Sequence, residues 1–117
     1  MGTFNVSVTV TGPTGRSTDV EALVDTGATH SLLPRDLLAG LGVEPIDRVS
    51  FQLADERTVE YAVGDARLRL DGRERTALVV FGPEGAASLL DATTLELFNL
   101  AVDPVSQRLV PVPGLLK

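Results

Sequence analysis

The chain has no cysteine and no tryptophan, and only one methionine, one tyrosine and one histidine among its 117 residues. Without cysteine there is no disulfide framework, no thiolate metal site and no cysteine nucleophile. Cations are also few. Ten Lys and Arg stand against sixteen Asp and Glu, a net charge of −6, and the basic residues are scattered without forming a block. The cationic surface that grips nucleic-acid phosphates is therefore not expected, and no nucleic-acid partner is predicted. No apolar run approaches the ~20 residues that a membrane helix needs, so no membrane partner is predicted. The opening residues, Met1-Gly2-Thr3-Phe4-Asn5-Val6, hold no signal-peptide core, and Val6 stands where a myristoylation signal has Ser or Thr. A cytoplasmic location is the expectation. The length suits one domain spanning residues 1–117, which can bury about two-thirds of its unfolded surface without covalent staples.

What the chain does have is alternation. Phe4, Val6, Val8 and Val10 alternate with polar residues, the pattern of a strand with one buried face. A Gly/Pro-dense loop over 11–17 leads into a second expected strand, 18–24. Pro34 suits the first turn of a short helix ending near Gly40 or Gly42. Val49, Phe51 and Leu53 alternate before a polar stretch at 54–58, and Val59, Tyr61 and Val63 follow, continued by Ala66, Leu68 and Leu70. That predicts a hairpin and a long or broken strand. After a turn at Asp71-Gly72, the apolar run 76–81 predicts a central strand. Residues 82–88 read as a loop. Asp91 is placed to cap a helix whose Leu95, Leu97 (or Phe98) and Leu100 face inward. Two short strands around Pro104 close the chain, with Pro111 and Pro113 confined to an edge or an irregular end. The expectation from this pattern is a mainly β chain with two short helices in one compact unit.

One stretch carries chemistry: "LVDTGATHSLLP", residues 23–34. Leu23 and Val24 anchor a strand end in the core, and Asp25 follows at once. Gly27 permits a backbone approach that a Cβ would block. The Thr26 hydroxyl can bond neighbouring backbone, and Ala28 keeps crowding low. A carboxylate on so rigid a loop is held as catalysis requires. A lone carboxylate hydrolyses poorly. Two that share a proton do better, because close like charges split their apparent pKa values. The ionised member then takes a proton from water while the protonated member polarises a carbonyl.

The stretch resembles the catalytic loop of the retropepsin-like aspartic proteases, single-domain relatives of pepsin, and is most like their bacterial and archaeal stand-alone members. The resemblance extends along most of the chain. "FQLADERTVEYAVGDARLRL" is similar to the flap hairpin that folds over substrate, and "LVVFGPEGAASLLDATTLELFNLAVDP" to the segment that closes the fold. It implies the retropepsin fold, a mainly β small closed barrel with one or two short helices, and an aspartic endopeptidase acting on a peptide or protein substrate, without metal, other cofactor or covalent intermediate. Because the chain holds a single Asp-Thr-Gly, it also implies a homodimer in which Asp25 of two copies meets on a two-fold axis. Asp25, Thr26 and Gly27 are then the catalytic residues, Thr26 bracing the partner's loop and the Gly27 carbonyl holding substrate backbone. Ala28 and the flap tip Ala54, Asp55, Glu56 and Arg57 contact substrate. A dimeric peptide-binding module of the same fold, without useful turnover, is the alternative reading.

Three positions depart from the family pattern. Glu56 replaces the flap-tip glycine, Asp91 replaces the glycine of an apolar-apolar-Gly turn, and Asn99 replaces a helix-ending glycine. At Asp91 two outcomes stay open: a helix cap, or a negative charge beside Asp25. The remaining polar residues read plainly. His30 is a loop residue, because this chemistry needs no imidazole. Ser31 lacks the base and orienter of a nucleophile. Asp55 and Glu56 form a solvated hairpin tip. Gly82 and Gly85 flank a loop that borders the cleft or lies clear of it.

Overall fold

The alternating residues of the first strand pair decide where the core lies. In β1 (Asn5–Thr11) Val8 and Val10 turn inward, and in β2 (Ser17–Val24) Ala22 and Val24 do the same, all at most 4% exposed. The two strands pair antiparallel, Val8 opposite Val20 and Val6 opposite Ala22. These assignments come from a computed structural model that describes residues 4–116. The N-terminal reading at Met1 to Thr3 lies outside the described residues.

Next in order come β3 (Ser31–Pro34), α1 (Arg35–Gly40), β4 (Asp47–Gln52), β5 (Thr58–Leu70), β6 (Arg73–Gly82), β7 (Ser88–Leu90), α2 (Ala92–Leu97), β8 (Leu100–Asp103) and β9 (Arg108–Pro111). Seven strands form one sheet in the order β1-β2-β7-β3-β6-β5-β4, and β1 pairs again with β5. That second pairing closes six strands into a barrel. β4 is left outside the ring, joined to β5 as a projecting hairpin. The expected closed β-barrel with two short helices is therefore what the chain forms. No helix among the described residues is long and apolar enough to cross a membrane.

The barrel is filled by Val8, Val10, Leu33, Leu68 and Val79 from the strands, Leu38 from α1 and Phe98 beside α2, each no more than 2% exposed. Fully burying such a side chain contributes roughly 1.5–3 kcal/mol. β6 runs between β5 and β3, as a central strand should, though its Leu78 is 40% exposed on the outer face.

Several boundaries differ from expectation for local reasons. Pro34 ends β3 and sits just before α1 rather than inside its first turn. Of the two candidate helix ends, Gly42 is the left-handed residue, at φ +81°. Leu95 in α2 and Phe98 just after it face inward while Leu97 is 44% exposed, and Leu100 is buried from β8 rather than from the helix. Asn99 ends that helix at φ +56°, the left-handed conformation that Asn tolerates. β9 is an edge strand ending on Pro111.

The β8–β9 turn is held by Asp103. Ser106 Oγ donates to its Oδ2 at 2.7 Å and the Val105 amide to its Oδ1 at 3.1 Å. These bonds, that from the Ser106 hydroxyl first, hold the carboxyl below its ordinary 3.8. The turn's contribution is thus present above that value and fades as pH falls through the native one.

Candidate active site

The loop of residues 25–30 leaves β2 at the floor of a cleft. Val24 is anchored by its amide to the Phe4 carbonyl at 2.9 Å, and the Asp25 amide donates to the Leu90 carbonyl at 2.9 Å. The loop then folds back on itself. The Gly27 amide donates to Asp25 Oδ1 at 3.0 Å, and the Ala28 amide to the Asp25 carbonyl at 3.2 Å. A Cβ on residue 27 would stand 3.3 Å from Asp25 Oδ1, so glycine gives the carboxylate room. Asp25 is half-buried; Thr26 and Gly27 are exposed. The Thr26 hydroxyl, expected to brace a loop, makes no hydrogen bond within the chain among the described residues.

The cleft above Asp25 measures about 600 Å³ and joins the loop to the β4–β5 hairpin. Gly27, Ala28, Thr29 and His30 come from the loop, and Phe51, Gln52, Leu53, Ala54 and Tyr61 from the hairpin. Leu32, Val80 and Leu89, from β3, β6 and β7, complete an apolar wall. Asp25 is the only Asp or Glu in this lining. Among the described residues no group of three or more His, Cys, Asp and Glu could hold a metal ion.

Of the site residues expected from the sequence, Asp25, Gly27, Ala28 and Ala54 meet in this cleft, and Thr26 lies beside it. Asp55, Glu56 and Arg57 stand on the exposed hairpin tip, outside the lining in a single chain. There Arg57 Nε donates to Asp55 Oδ2 at 2.6 Å, and the Arg57 amide to Asp55 Oδ1 at 3.1 Å. So exposed a pair stabilises by at most about 1 kcal/mol. Glu56 closes the turn, its amide donating to the Leu53 carbonyl at 2.9 Å, with φ at +68°. It has taken on the glycine's conformation without being glycine, a strain of roughly 1–2 kcal/mol. Glu56→Gly is accordingly expected to raise stability by up to about 1 kcal/mol, read as a higher urea midpoint at constant m-value. An unchanged or lower midpoint would show that this turn is not strained.

The glycine replaced by Asp91 has a different outcome. Asp91 is 2% exposed, and its carboxylate caps α2 by accepting the Thr93 and Thr94 amides, each at 3.2 Å. Ser31 Oγ and Thr94 Oγ1 also donate to its Oδ1, at 2.7 and 2.5 Å. The expected helix cap is thus realised.

His30 sits on the cleft wall with its ring edge-on to Phe51, centroids 4.9 Å apart and planes at 87°. Its Nδ1 shares a hydrogen bond with Thr29 Oγ1 at 2.9 Å. It therefore links the Asp25 loop to the hairpin. Gly82 is buried against Leu32, behind the wall, and Gly85 makes a left-handed turn in the open, so neither lines the cleft. Sequence reasoning missed Leu32, Phe51, Leu53, Tyr61, Val80 and Leu89 as cleft walls. Their apolar alternation was visible, but barrel closure decides which of them face the cleft.

A closed six-stranded barrel that presents an Asp-Thr-Gly loop beneath a β hairpin defines the retropepsin class of acid protease fold. Solved structures share it. The simian foamy virus (mac) protease matches with a TM-score of 0.60 and 20% identity, over 80% of this chain and 93% of its own. The EIAV protease, solved with the inhibitor HBY-793, matches with a TM-score of 0.56 and 19% identity, over 91% and 90%. A foamy viral protease–reverse transcriptase, solved with an RNA/DNA hybrid, matches with a TM-score of 0.59 and 15% identity over 96% of this chain, which spans 13% of that longer one. At such identities these matches establish the fold alone. No match was found among curated proteins. The family model described as aspartyl protease matches residues 6–105, and the chain belongs to that family.

Proposed function

We propose that the protein is a homodimeric aspartic endopeptidase of the cytoplasm, each copy acting as one domain over residues 1–117. The observation that carries this reading is the Asp25 carboxylate, held by the Gly27 amide at 3.0 Å on the floor of a roofed cleft that contains no second acid. The missing carboxylate is supplied by Asp25 of another copy across a two-fold axis. The exposed Thr26 hydroxyl, without a hydrogen-bond partner among the described residues, is available to brace the other loop.

In that dimer one Asp25 is ionised and its partner protonated, because like charges so close do not both ionise. The ionised carboxylate takes a proton from a bound water, whose oxygen adds to the peptide carbonyl carbon. The protonated carboxyl gives its proton to the carbonyl oxygen. As the tetrahedral adduct collapses and the C–N bond breaks, the carboxyl that took the water proton gives it to the departing nitrogen, while one adduct hydroxyl returns its proton to the other carboxylate and becomes the carbonyl of the new acid. The hairpin covers the substrate, which lies extended along Ala28 and Ala54, and Asp55, Glu56 and Arg57 approach it when the tip closes. The apolar wall suits apolar side chains beside the cleaved bond.

The expected result is cleavage of unstructured proteins or a peptide library with an optimum at acidic to mildly acidic pH, and dimeric mass by light scattering. A stable monomer at high concentration would sink this reading, since one Asp25 makes no pair. Peptide binding without turnover would favour the non-catalytic module instead.

A further inference from the structure

The loop that carries Asp25 is pinned at both ends by one two-residue segment, Leu90-Asp91. At the start of the loop the Leu90 carbonyl accepts the Asp25 amide at 2.9 Å. At its end Ser31 and Asp91 bond reciprocally. Ser31 Oγ donates to Asp91 Oδ1 at 2.7 Å and accepts from the Asp91 amide at 3.1 Å. Both side chains are at most 2% exposed, so water does not compete for these bonds. The same Oδ1 holds Thr94, and Thr94 Oγ1 lies 2.9 Å from Ser31 Oγ. One carboxylate thus fastens α2 to the far end of the loop, while the residue before it fastens the near end.

We infer that Asp91 is a positioning residue for Asp25, acting through Ser31. This rests on the peptidase reading above. A glycine at residue 91 would offer its amide to Ser31 but nothing to receive the Ser31 proton, so the clasp belongs to this chain's departure from the family pattern. Catalysis by a carboxylate pair requires the two loops to hold their acids in register across the dimer. A displacement well under 1 Å at each loop is enough to slow the chemical step. Neither Ser31 nor Asp91 lines the cleft, so ground-state binding of peptide is left alone.

The test separates positioning from helix capping, because Ser31→Ala opens the clasp while leaving the Thr93 and Thr94 amides on Asp91. In the full-length protein, Ser31→Ala and Asp91→Ala are each expected to lower kcat about ten-fold with KM changed less than about two-fold. The double variant falls no further than the worse single, because both lose one shared contact. Asp91→Asn, which keeps an acceptor for Ser31, retains kcat within about three-fold. A second measurement is independent of turnover. Amide exchange at Asp25 accelerates at least about ten-fold in Ser31→Ala and Asp91→Ala, while amides of the β5–β6 pairing stay protected. Wild-type kcat and unchanged Asp25 exchange in Ser31→Ala would overturn the inference, as would additive effects in the double variant. Wild-type protein that shows no turnover would refute the peptidase reading instead, and the exchange measurement would still decide whether the clasp holds the loop.

Discussion

Asp25→Asn is expected to abolish peptide cleavage, lowering kcat on the order of 10⁴-fold while leaving the dimer and its peptide affinity intact. The size follows from removing the general acid and the general base in one substitution, since each subunit contributes the same residue. The fold should survive. Asn has the shape of Asp and keeps an oxygen to accept the Gly27 amide, which donates to Asp25 Oδ1 at 3.0 Å. Dimerisation should be little changed, because two Asn side chains can still exchange an amide hydrogen bond across the two-fold axis. Symmetry adds a stricter test. When excess Asp25→Asn protein is mixed with wild type and subunits exchange, most wild-type chains sit in mixed dimers holding one acid. Activity per wild-type chain should then fall by roughly the dilution factor. Undiminished activity in the mixture would mean that each copy works alone. Undiminished activity in the pure variant would mean that Asp25 does no chemistry.

Gly12→Ala is expected to cause the largest loss of stability, about 3 kcal/mol, the upper end for overpacking. A Cβ at residue 12 would stand 1.8 Å from the Leu41 carbonyl oxygen and 2.7 Å from its carbon. Both are backbone atoms, so no rotamer change relieves the clash, and the end of α1 must move away from the β1–β2 loop. That movement disturbs Leu38 and Leu41, both buried in the core. Against a net stability of typically about 5–15 kcal/mol, such a loss is large. It should appear as a lower urea midpoint and as a loss of activity on mild warming. A midpoint within about 0.5 kcal/mol of wild type would show that the loop relaxes freely.

The two substitutions show which parts of the protein the sequence reveals. Asp25 is legible because its constraint is local: apolar residues before it, small residues after it, all within one loop. The long hairpin β4–β5 is legible because period-two alternation persists along it, and strand β6 because its apolar run 76–81 is continuous. The short strands β3 and β7 are not. At four and three residues they carry too little alternation to register, and they exist only through partners far along the chain, β6 beside β3 and β2 beside β7. Gly12 is equally silent. Its loop reads as any Gly/Pro hairpin, and the reason for glycine lies in the approach of Leu41, a residue distant in sequence.

The glycine replacements divide along the same line. That Asn99 could adopt a left-handed turn follows from the residue type, and it does so at φ +56°. What Asp91 does depended on which groups lie around it, and those are Ser31, Thr93 and Thr94, one from another strand. By itself, then, the amino-acid sequence determined the β-rich class and the single Asp-Thr-Gly loop per chain, because alternation and tight turns depend on neighbouring residues. Tertiary structure alone decided that six strands close a barrel, that Leu32, Val80 and Leu89 wall the cleft, and that Asp91 clasps Ser31. Those outcomes rest on contacts between segments that meet only when the sheet closes on itself.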